Sequence, residues 1–485
     1  MKKIIAGIII FNISIVLIGG VVTTSVPVLY KECDHGKLTV YEDNTKLLIV
    51  WGTHAERGFA YGALLGKEIK EVFDSYVLPH YEALGHSNLI QMFNDYFYAG
   101  IESSKYVDEA KGILKGMKAG GINLKSKLGE EDEFEMNELD LLMFCALPDM
   151  FTADGRLKFN FVDPAAIMPE GAAAASVPLG CSSVSKRDAS GVLTITRALD
   201  WSSNPVLLRN QIMVVHLPTE AGEQPWVSMG ITGYIGCLSG INKSGLGVFM
   251  NVEGAIQNID LMKALRTGML RRLDCFSISS LKLRDIVESK KCLDPFSINL
   301  AIWGNRLGSW LMHFIGPLQP GTPLVETIIK WINGYPFDPE EEKGLVYLDG
   351  ASKDWCMVME GSETGTLHRF LKKSPEAALI ATNCFKALPF SLPEDYDEEN
   401  DTFGYYVYNG LEADFCKPVV ENHWDTFLKT AFCSHTMQVI QYTPQQKRLI
   451  WGVRTHAEQG PRELSRFMCS NLEALFVMPK PLPYK

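Results

Sequence analysis

The chain has 485 residues, 46% hydrophobic and 21% charged, enough to build a large core or two domains. Its 46 basic and 57 acidic residues leave a formal charge of −11 with no dense Lys/Arg cluster. Nucleic acid is therefore not expected as a partner, because phosphate binding needs concentrated positive charge. Eleven scattered cysteines form no CxxC pair and no metal-type spacing, so neither a metal nor a cofactor is expected.

Met1-Lys2-Lys3 precedes an apolar run from Ile4 to Val22, broken only by Asn12 and Ser14 and followed by Thr23-Thr24-Ser25. Lysines ahead of an apolar stretch are the layout of a secretory signal, and the run is nearly long enough to span a bilayer. Residues 1–26 are thus expected to be a signal peptide or a signal-anchor, giving an exported chain (secreted, periplasmic or lumenal) with membrane contact only through that segment. An odd cysteine count in an exported chain leaves at least one thiol unpaired.

Thr45 to Trp51 (TKLLIVW) predicts a strand, and Gly52-Thr53-His54 opens a helix through ERGFAYGALLGKEIKEVFDSYV. Helical pattern continues from Ser87 to Lys118. The acidic segment Gly129 to Glu138 predicts a solvated turn before a helix over LDLLMFCALPDMF. Pro164, Pro169, Gly171 and the alanines 172–175 then mark an exposed connector ending at Gly180. Strands follow at GVLTITR, with Leu193, Ile195 and Arg197 on one face, and at LLRNQIMVVHL, PWVSMGI and LGVFMNVE, the last two flanking an Asn242-Lys243-Ser244-Gly245 turn. Helical pattern dominates from Leu261 to Ser289. Strands return at SINLAIWG, DWCMVMEG, AALIATNCF and the pair MQVIQYT/RLIWGV, joined by Pro444-Gln445-Gln446. Helices, strands, helices and strands in that order suggest an α+β domain, with two sheets packed between helices as the simplest way to bury every apolar face.

Cys181, right after Pro178-Leu179-Gly180, stands out as a candidate nucleophile. A thiol titrates near about 8.5 and needs a base or a positive neighbour at neutral pH. A papain-like reading pairs it with a distant His, but none of the ten histidines sits in a pattern that nominates it, and LGCSS lacks the aromatic that follows a papain-type Cys. Cutting between Gly180 and Cys181 supplies a base with no histidine: the new α-amine titrates at about 7.7–8.0. Gly180 leaves its carbonyl open to the Cys181 thiol, and the Pro/Ala-rich connector lets the new ends separate.

Cys181-Ser182-Ser183, a strand, and then Arg197-Ala198-Leu199-Asp200 resemble the N-terminal nucleophile (Ntn) hydrolases that cleave linear amides. That group includes choloylglycine hydrolases, V-type penicillin acylases, acid ceramidase, N-acylethanolamine acid amidase and the acyl-CoA:6-aminopenicillanate acyltransferase. In the bile salt and ceramide branches an Arg and an Asp follow the cysteine at the offsets that Arg197 and Asp200 keep from Cys181. Gly240-Ile241-Asn242-Lys243-Ser244-Gly245-Leu246, closing on Asn251, resembles the family's GMN-x-x-GL…N segment, and Thr382-Asn383 resembles its late Thr-Asn pair. The resemblance is most specific from Gly180 to Glu253; Cys384 stands where acyltransferase-like relatives often carry His.

The resemblance implies a four-layer αββα sandwich over residues 181–485, with residues 27–180 as an N-terminal helical segment and connector. It implies Cys181 as nucleophile and its α-amine as base. Arg197 would favour the thiolate and help place substrate, and Asp200 would orient the α-ammonium. Asn383 would donate its side-chain amide to the oxyanion, with Asn251 as a second donor, for example through its backbone N–H. The expected reaction is hydrolysis of a small N-acyl amide, lipid-like given the apolar composition, after self-cleavage at Gly180–Cys181. Capture of the thioester by an amine (an acyltransferase) and an inactive binding protein of the same fold are the alternatives. Taken singly, Cys181 reads as a buried structural thiol, Arg197 and Asp200 as a surface ion pair, and Asn251 and Asn383 as strand-end turn residues. Cys237, Cys384 and Cys433 read as core or disulfide cysteines, and His54 and His435 as helix-start and loop residues.

Overall fold

A computed structural model describes residues 21–23, 25–84, 90, 93–94, 104–128, 132–150, 180–252, 278–292, 297–298, 301, 310–317, 354–362, 365–371, 374, 376–382 and 404–478. Before the connector run β1 (Val21–Thr23), β2 (Pro27–Cys33), β3 (Gly36–Tyr41), β4 (Lys46–Gly52), α1 (His54–Val72), α2 (Leu78–Leu84), α3 (Lys105–Ala119), the hairpin β5 (Lys125–Leu128) and β6 (Asp132–Glu135), and α4 (Glu138–Met150). From Gly180 follow β7 (Gly180–Arg187), β8 (Leu193–Asp200), α5 (Pro205–Arg209), β9 (Gln211–Pro218), β10 (Trp226–Ile231), β11 (Ser239–Asn242), β12 (Gly247–Val252) and α6 (Ser279–Glu288). Then come β13 (Trp310–Pro317), β14 (Asp354–Ser362), β15 (Gly365–Phe370), β16 (Ala378–Ala381), α7 (Gly404–Phe415), α8 (His423–Ala431), β17 (Thr436–Thr443), β18 (Arg448–Val453) and β19 (Ser465–Cys469).

Among the described residues, one sheet has the order β1-β19-β18-β17-β8-β7-β16 and a second the order β15-β14-β13-β12-β11-β10-β9-β4-β3-β2. Period-two alternation sorts their side chains into three cores. Leu193 and Ile195 of β8 and Ile440 and Tyr442 of β17 meet Met213, Val215, Val227 and Phe249 of the larger sheet in a layer between the sheets. The opposite face of the smaller sheet, Val184, Ala198 and Val439, packs on Leu411 and Phe415 of α7 and Phe427 of α8. The opposite face of the larger sheet, Leu48, Val214, Val248 and Phe314, packs on α1, α3, α4 and α6. The result is the αββα layering expected from the sequence.

Thr53 starts α1 through a capping box: its Oγ1 accepts from the Glu56 N–H, and Glu56 Oε2 accepts from the Thr53 N–H at 2.7 Å. Glycines at four-residue spacing let α1 and α3 touch backbone to backbone. A Cβ on Gly62 would lie 1.9 Å from the Ile113 carbonyl oxygen, and one on Gly116 2.1 Å from that of Phe59.

Three expected elements differ. Instead of a solvated turn, Asp132–Glu135 form β6, because Phe134 packs on Phe73 and Tyr81 and a Lys125–Glu133 pair at 3.2 Å crosses the hairpin. LLRNQIMVVHL is a strand only from Gln211; Asn204 caps a helical turn over Pro205–Arg209, as proline at a first helical position favours. Within SINLAIWG, Ser297, Ile298 and Ala301 are helical, and the three-residue spacing puts Ile298 and Ala301 against the helix-side core. Cys237 is a core thiol and Cys433 a half-buried one, neither in a disulfide; the connector 151–179, residues 253–277 and Cys384 lie outside the described residues. Among the described residues no helix is long and apolar enough to cross a membrane, and the run from Ile4 lies largely outside them.

Candidate active site

Cys181 is the second residue of β7, the strand that begins at Gly180. In the β7–β8 ladder Gly180 faces Asp200, Cys181 faces Leu199 and Ser183 faces Arg197. Two adjacent strands therefore bring together residues sixteen and nineteen positions apart. Cys181 is buried, at 2% exposure, and Arg197 at 0%. Arg197 Nη2 lies 3.0 Å from Cys181 Sγ and donates to the Met250 carbonyl at 2.6 Å, while Nη1 donates to Ser239 Oγ at 3.0 Å. Fixed at three points, the guanidinium is held where it can meet negative charge on the sulfur, and in a water-poor setting that interaction is strong.

Asp200 is equally buried. Thr436 donates to its Oδ1 at 2.5 Å, and Oδ2 has no hydrogen-bond partner among the described residues. Burial pushes its carboxyl up to about 6, partly offset by the Thr436 hydrogen bond, the Arg197 charge and the Cys433 thiol. An unsatisfied buried carboxylate oxygen opposite Gly180 is a costly feature unless a cation arrives to meet it. The recess beside the thiol is lined by Pro148, Gly180, Cys181, Arg197, Leu199, Asp200, Trp201, Leu238 and Met250, with room for about one water. Pro148 belongs to α4, the last described element before the connector. Trp201 packs edge-on to Phe144 and Tyr234 and donates its indole N–H to Tyr76 at 2.6 Å.

Asn251 reaches the same inter-sheet layer from β12, but its amide is already engaged. Nδ2 donates to Ser183 Oγ at 3.0 Å, and Oδ1 has no partner among the described residues. The sequence offered the backbone N–H of this residue as the example of its donor, and the side-chain amide is turned to Ser183. Asn383 lies outside the described residues; the β16–β7 ladder is described up to Ala381 opposite Ser183.

No family model matches the chain, and no curated protein matches it. It is similar to solved structures that include these three. An N-acylethanolamine-hydrolyzing acid amidase ortholog from Caenorhabditis elegans shares 12% identity at a TM-score of 0.35, over 54% of this chain and 93% of that one. Penicillin V acylase from Agrobacterium tumefaciens shares 9% at 0.33, over 58% and 89%. A mutant conjugated bile acid hydrolase from Clostridium perfringens shares 8% at 0.29, over 56% and 89%. Superpositions this loose carry no argument about the chemistry of this chain, which rests on its own residues.

Sequence reasoning missed the residues that hold the site. Ser239 and the Met250 carbonyl aim Arg197, and Thr436 aims Asp200. Ser183 Oγ also lies 2.9 Å from His313 Nδ1, and His313 Nε2 lies 2.9 Å from Ser185 Oγ and 3.0 Å from Cys356 Sγ. Burial, with the Arg369 charge, pushes His313 down to about 3, so this network is neutral at physiological pH. The one available signal was the alternation Cys181, Ser183, Ser185 along β7, which puts small polar groups on a face otherwise buried. Elsewhere, His54, Glu223 and Glu288 gather at metal-ligand spacing, but the Lys105 ammonium lies 2.7 Å from Glu223 and 2.8 Å from Glu288 and takes the place a cation would need.

Proposed function

We propose that the chain is an exported amide hydrolase of the N-terminal nucleophile type, made as a precursor and activated by cutting itself between Gly180 and Cys181. One observation carries this reading: a buried cysteine at a strand start, with an Arg guanidinium 3.0 Å from its sulfur and, opposite Gly180, a buried carboxylate with one oxygen unpartnered among the described residues. In the activating step Cys181 Sγ attacks the Gly180 carbonyl carbon, and the peptide C–N bond breaks. The nitrogen takes up the proton that the thiol loses and becomes the α-amine of Cys181, and water hydrolyses the Gly180 thioester to a carboxylate and the free thiol.

The new α-amine lies across the ladder from Asp200, whose Oδ2 then gains the cationic partner it lacks. In turnover the amine takes the thiol proton and the thiolate attacks the substrate carbonyl. The resulting oxyanion is met by the Asn251 backbone N–H and by the Asn383 amide, which the resemblance assigns to that task. The α-ammonium returns its proton to the departing amine, leaving a thioester on Cys181. Water, activated by the same amine, releases the acid. The covalent intermediate splits one difficult step into two easier ones. The substrate is a small N-acyl amide with a lipid-like acyl group, for which the recess beside Cys181 must widen past Pro148.

Mass spectrometry of the protein expressed in full tests the reading. The expected result is two chains, one beginning at Cys181, and a single uncut, inactive chain for Cys181→Ala. An uncut wild-type chain whose Cys181 does not react with a thiol-directed acyl probe would overturn it.

A further inference from the structure

On the helix side of the larger sheet the fold buries a second set of charges. His54 and Arg57 come from α1, Lys105 and Glu109 from α3, Glu220 and Glu223 from the β9–β10 link, and Arg284, Asp285 and Glu288 from α6. His54, Arg57, Glu109, Arg284 and Glu288 are all at most 3% exposed. The charges are sorted by position in the chain. Before the connector stand three cations and one carboxylate; after Cys181 stand four carboxylates and one cation.

The ion pairs follow that sorting. His54 Nε2 lies 3.1 Å from Glu223 and 3.7 Å from Glu288. Arg57 lies 3.3 Å from Glu223 and 3.7 Å from Glu220. Lys105 lies 2.7 Å from Glu223, 2.8 Å from Glu288 and 3.4 Å from Asp285, and Arg284 lies 2.7 Å from Glu109. These eight contacts join the part before the connector to the part after Cys181. Only His54–Glu109 at 2.6 Å and Arg284–Glu288 at 2.8 Å stay within one part. Complementary charge divided in this way fixes register and partner at an interface between separate bodies. A core within one continuous chain gains nothing from it, because buried pairs barely repay their desolvation.

We propose that this charge-sorted seam is a docking surface for this chain's own residues 21–150, which it retains as a separate polypeptide on residues 181–478 once the chain is cut, and that acid tightens the hold through His54. The inference rests on the proposed cleavage at Gly180–Cys181. Adhesion comes from the shared apolar core and from the parallel β4–β9 ladder, Lys46 to Gly52 against Ile212 to Pro218; the seam supplies selectivity and pH response.

His54 is the imidazole of the seam, held between Glu109 on one side and Glu223 and Glu288 on the other. Burial lowers its pKa, but the hydrogen bonds to Glu109 and Glu223 and the charges of Glu109 and Glu288 outweigh burial and raise it. Its backbone N–H donates to Glu220 Oε1 at 2.5 Å, Lys105 and Arg57 stand beside it, Arg284 faces Glu109, Asp285 faces Lys105, and the Tyr106 ring closes one side. Burial opposes charge on Glu109, Glu223 and Glu288, but their cationic partners hold all three below the usual carboxylate range. Lys105 is raised, and His216, stacked on Trp226, is pushed low by burial and stays neutral. For a raised His, the contribution to docking is complete below about 6.5, the value in a separated chain, and is lost as pH rises through the docked value.

To test this, a site-specific protease sequence is placed in the connector 151–179 of full-length Cys181→Ala, so that the two-part form arises without self-cleavage. Dissociation of the cut protein is followed by native mass spectrometry and urea titration at about pH 5.5 and about pH 8.5. The expected result is a pair that stays together and loosens by about tenfold at the higher pH, the scale of one charged hydrogen bond. His54→Gln abolishes the pH dependence, and Glu223→Gln and the milder Glu220→Gln loosen the pair at both pH values. A cut pair whose dissociation is equal at both pH values, or unchanged by Glu223→Gln and Glu220→Gln, would overturn the proposal. Failure of the wild-type chain to cut itself would overturn the cysteine reading and leave this measurement standing.

Discussion

Asp200→Asn separates a catalytic carboxylate from a structural one, because the geometry gives the two roles opposite signs. In the uncut chain Asp200 is buried with one oxygen unpartnered, and its carboxyl is raised from 3.8 to about 6. At 1.36 kcal/mol per unit, keeping it ionised above that pH costs the folded chain about 3 kcal/mol. A folded value above the unfolded one means that the stability Asp200 contributes is complete below about 3.8 and is lost as pH rises through about 6. Asn keeps the oxygen that accepts from Thr436 and removes the charge, while leaving one new buried N–H without an acceptor, at about 1–2 kcal/mol. In the Cys181→Ala background, Asp200→Asn should therefore stabilise the chain by about 1–2 kcal/mol at about pH 8 and destabilise it by about 1 kcal/mol at about pH 4, read as denaturant midpoints. In the self-cleaving protein the same substitution removes the partner of the α-ammonium and should cut amidase turnover by about 10²-fold or more. A stability difference that does not change between the two pH values, or one that favours Asp at the higher pH, would refute the argument from burial.

Arg197→Lys keeps the charge but cannot reach Cys181, Ser239 and the Met250 carbonyl together, so thiol acylation by an active-site-directed ester should slow by about 10²-fold with little change in fold by circular dichroism. Gly62→Ala puts a methyl group 1.9 Å from the Ile113 carbonyl oxygen, and the forced separation of α1 and α3 should cost about 1–3 kcal/mol in urea unfolding, whereas Gly191→Ala, with open space at its Cβ but φ +83°, should cost about 1 kcal/mol through backbone strain alone.

Much of the architecture was legible because it depends on local pattern. Period-two alternation in GVLTITR placed Leu193, Ile195 and Arg197 on one face, and the structure puts that face between the sheets. The Gly180–Cys181 junction and the Arg197 and Asp200 offsets were visible as spacing, and spacing became proximity because β7 and β8 are neighbours joined by a short turn. The elements that went astray did so where distant contacts outvote composition. Phe134 pulls an acidic stretch into a hairpin by packing on Phe73, a residue some sixty positions earlier. Glycine is a poor helix former, yet Gly62 of α1 lies against the Ile113 carbonyl of α3 and Gly116 of α3 against the Phe59 carbonyl of α1.

The sequence by itself determined the layered α+β class and nominated Cys181, Arg197 and Asp200, because helix and strand periods and short-range offsets are properties of the chain alone. Only the tertiary structure decided what those residues face. It set Asp200 with an oxygen unpartnered opposite Gly180, tied the Asn251 amide to Ser183, and brought His54 and Lys105 onto Glu223 and Glu288. Burial and charge partners are set by chain segments from twenty to more than a hundred residues apart, and no local pattern encodes which of them will meet.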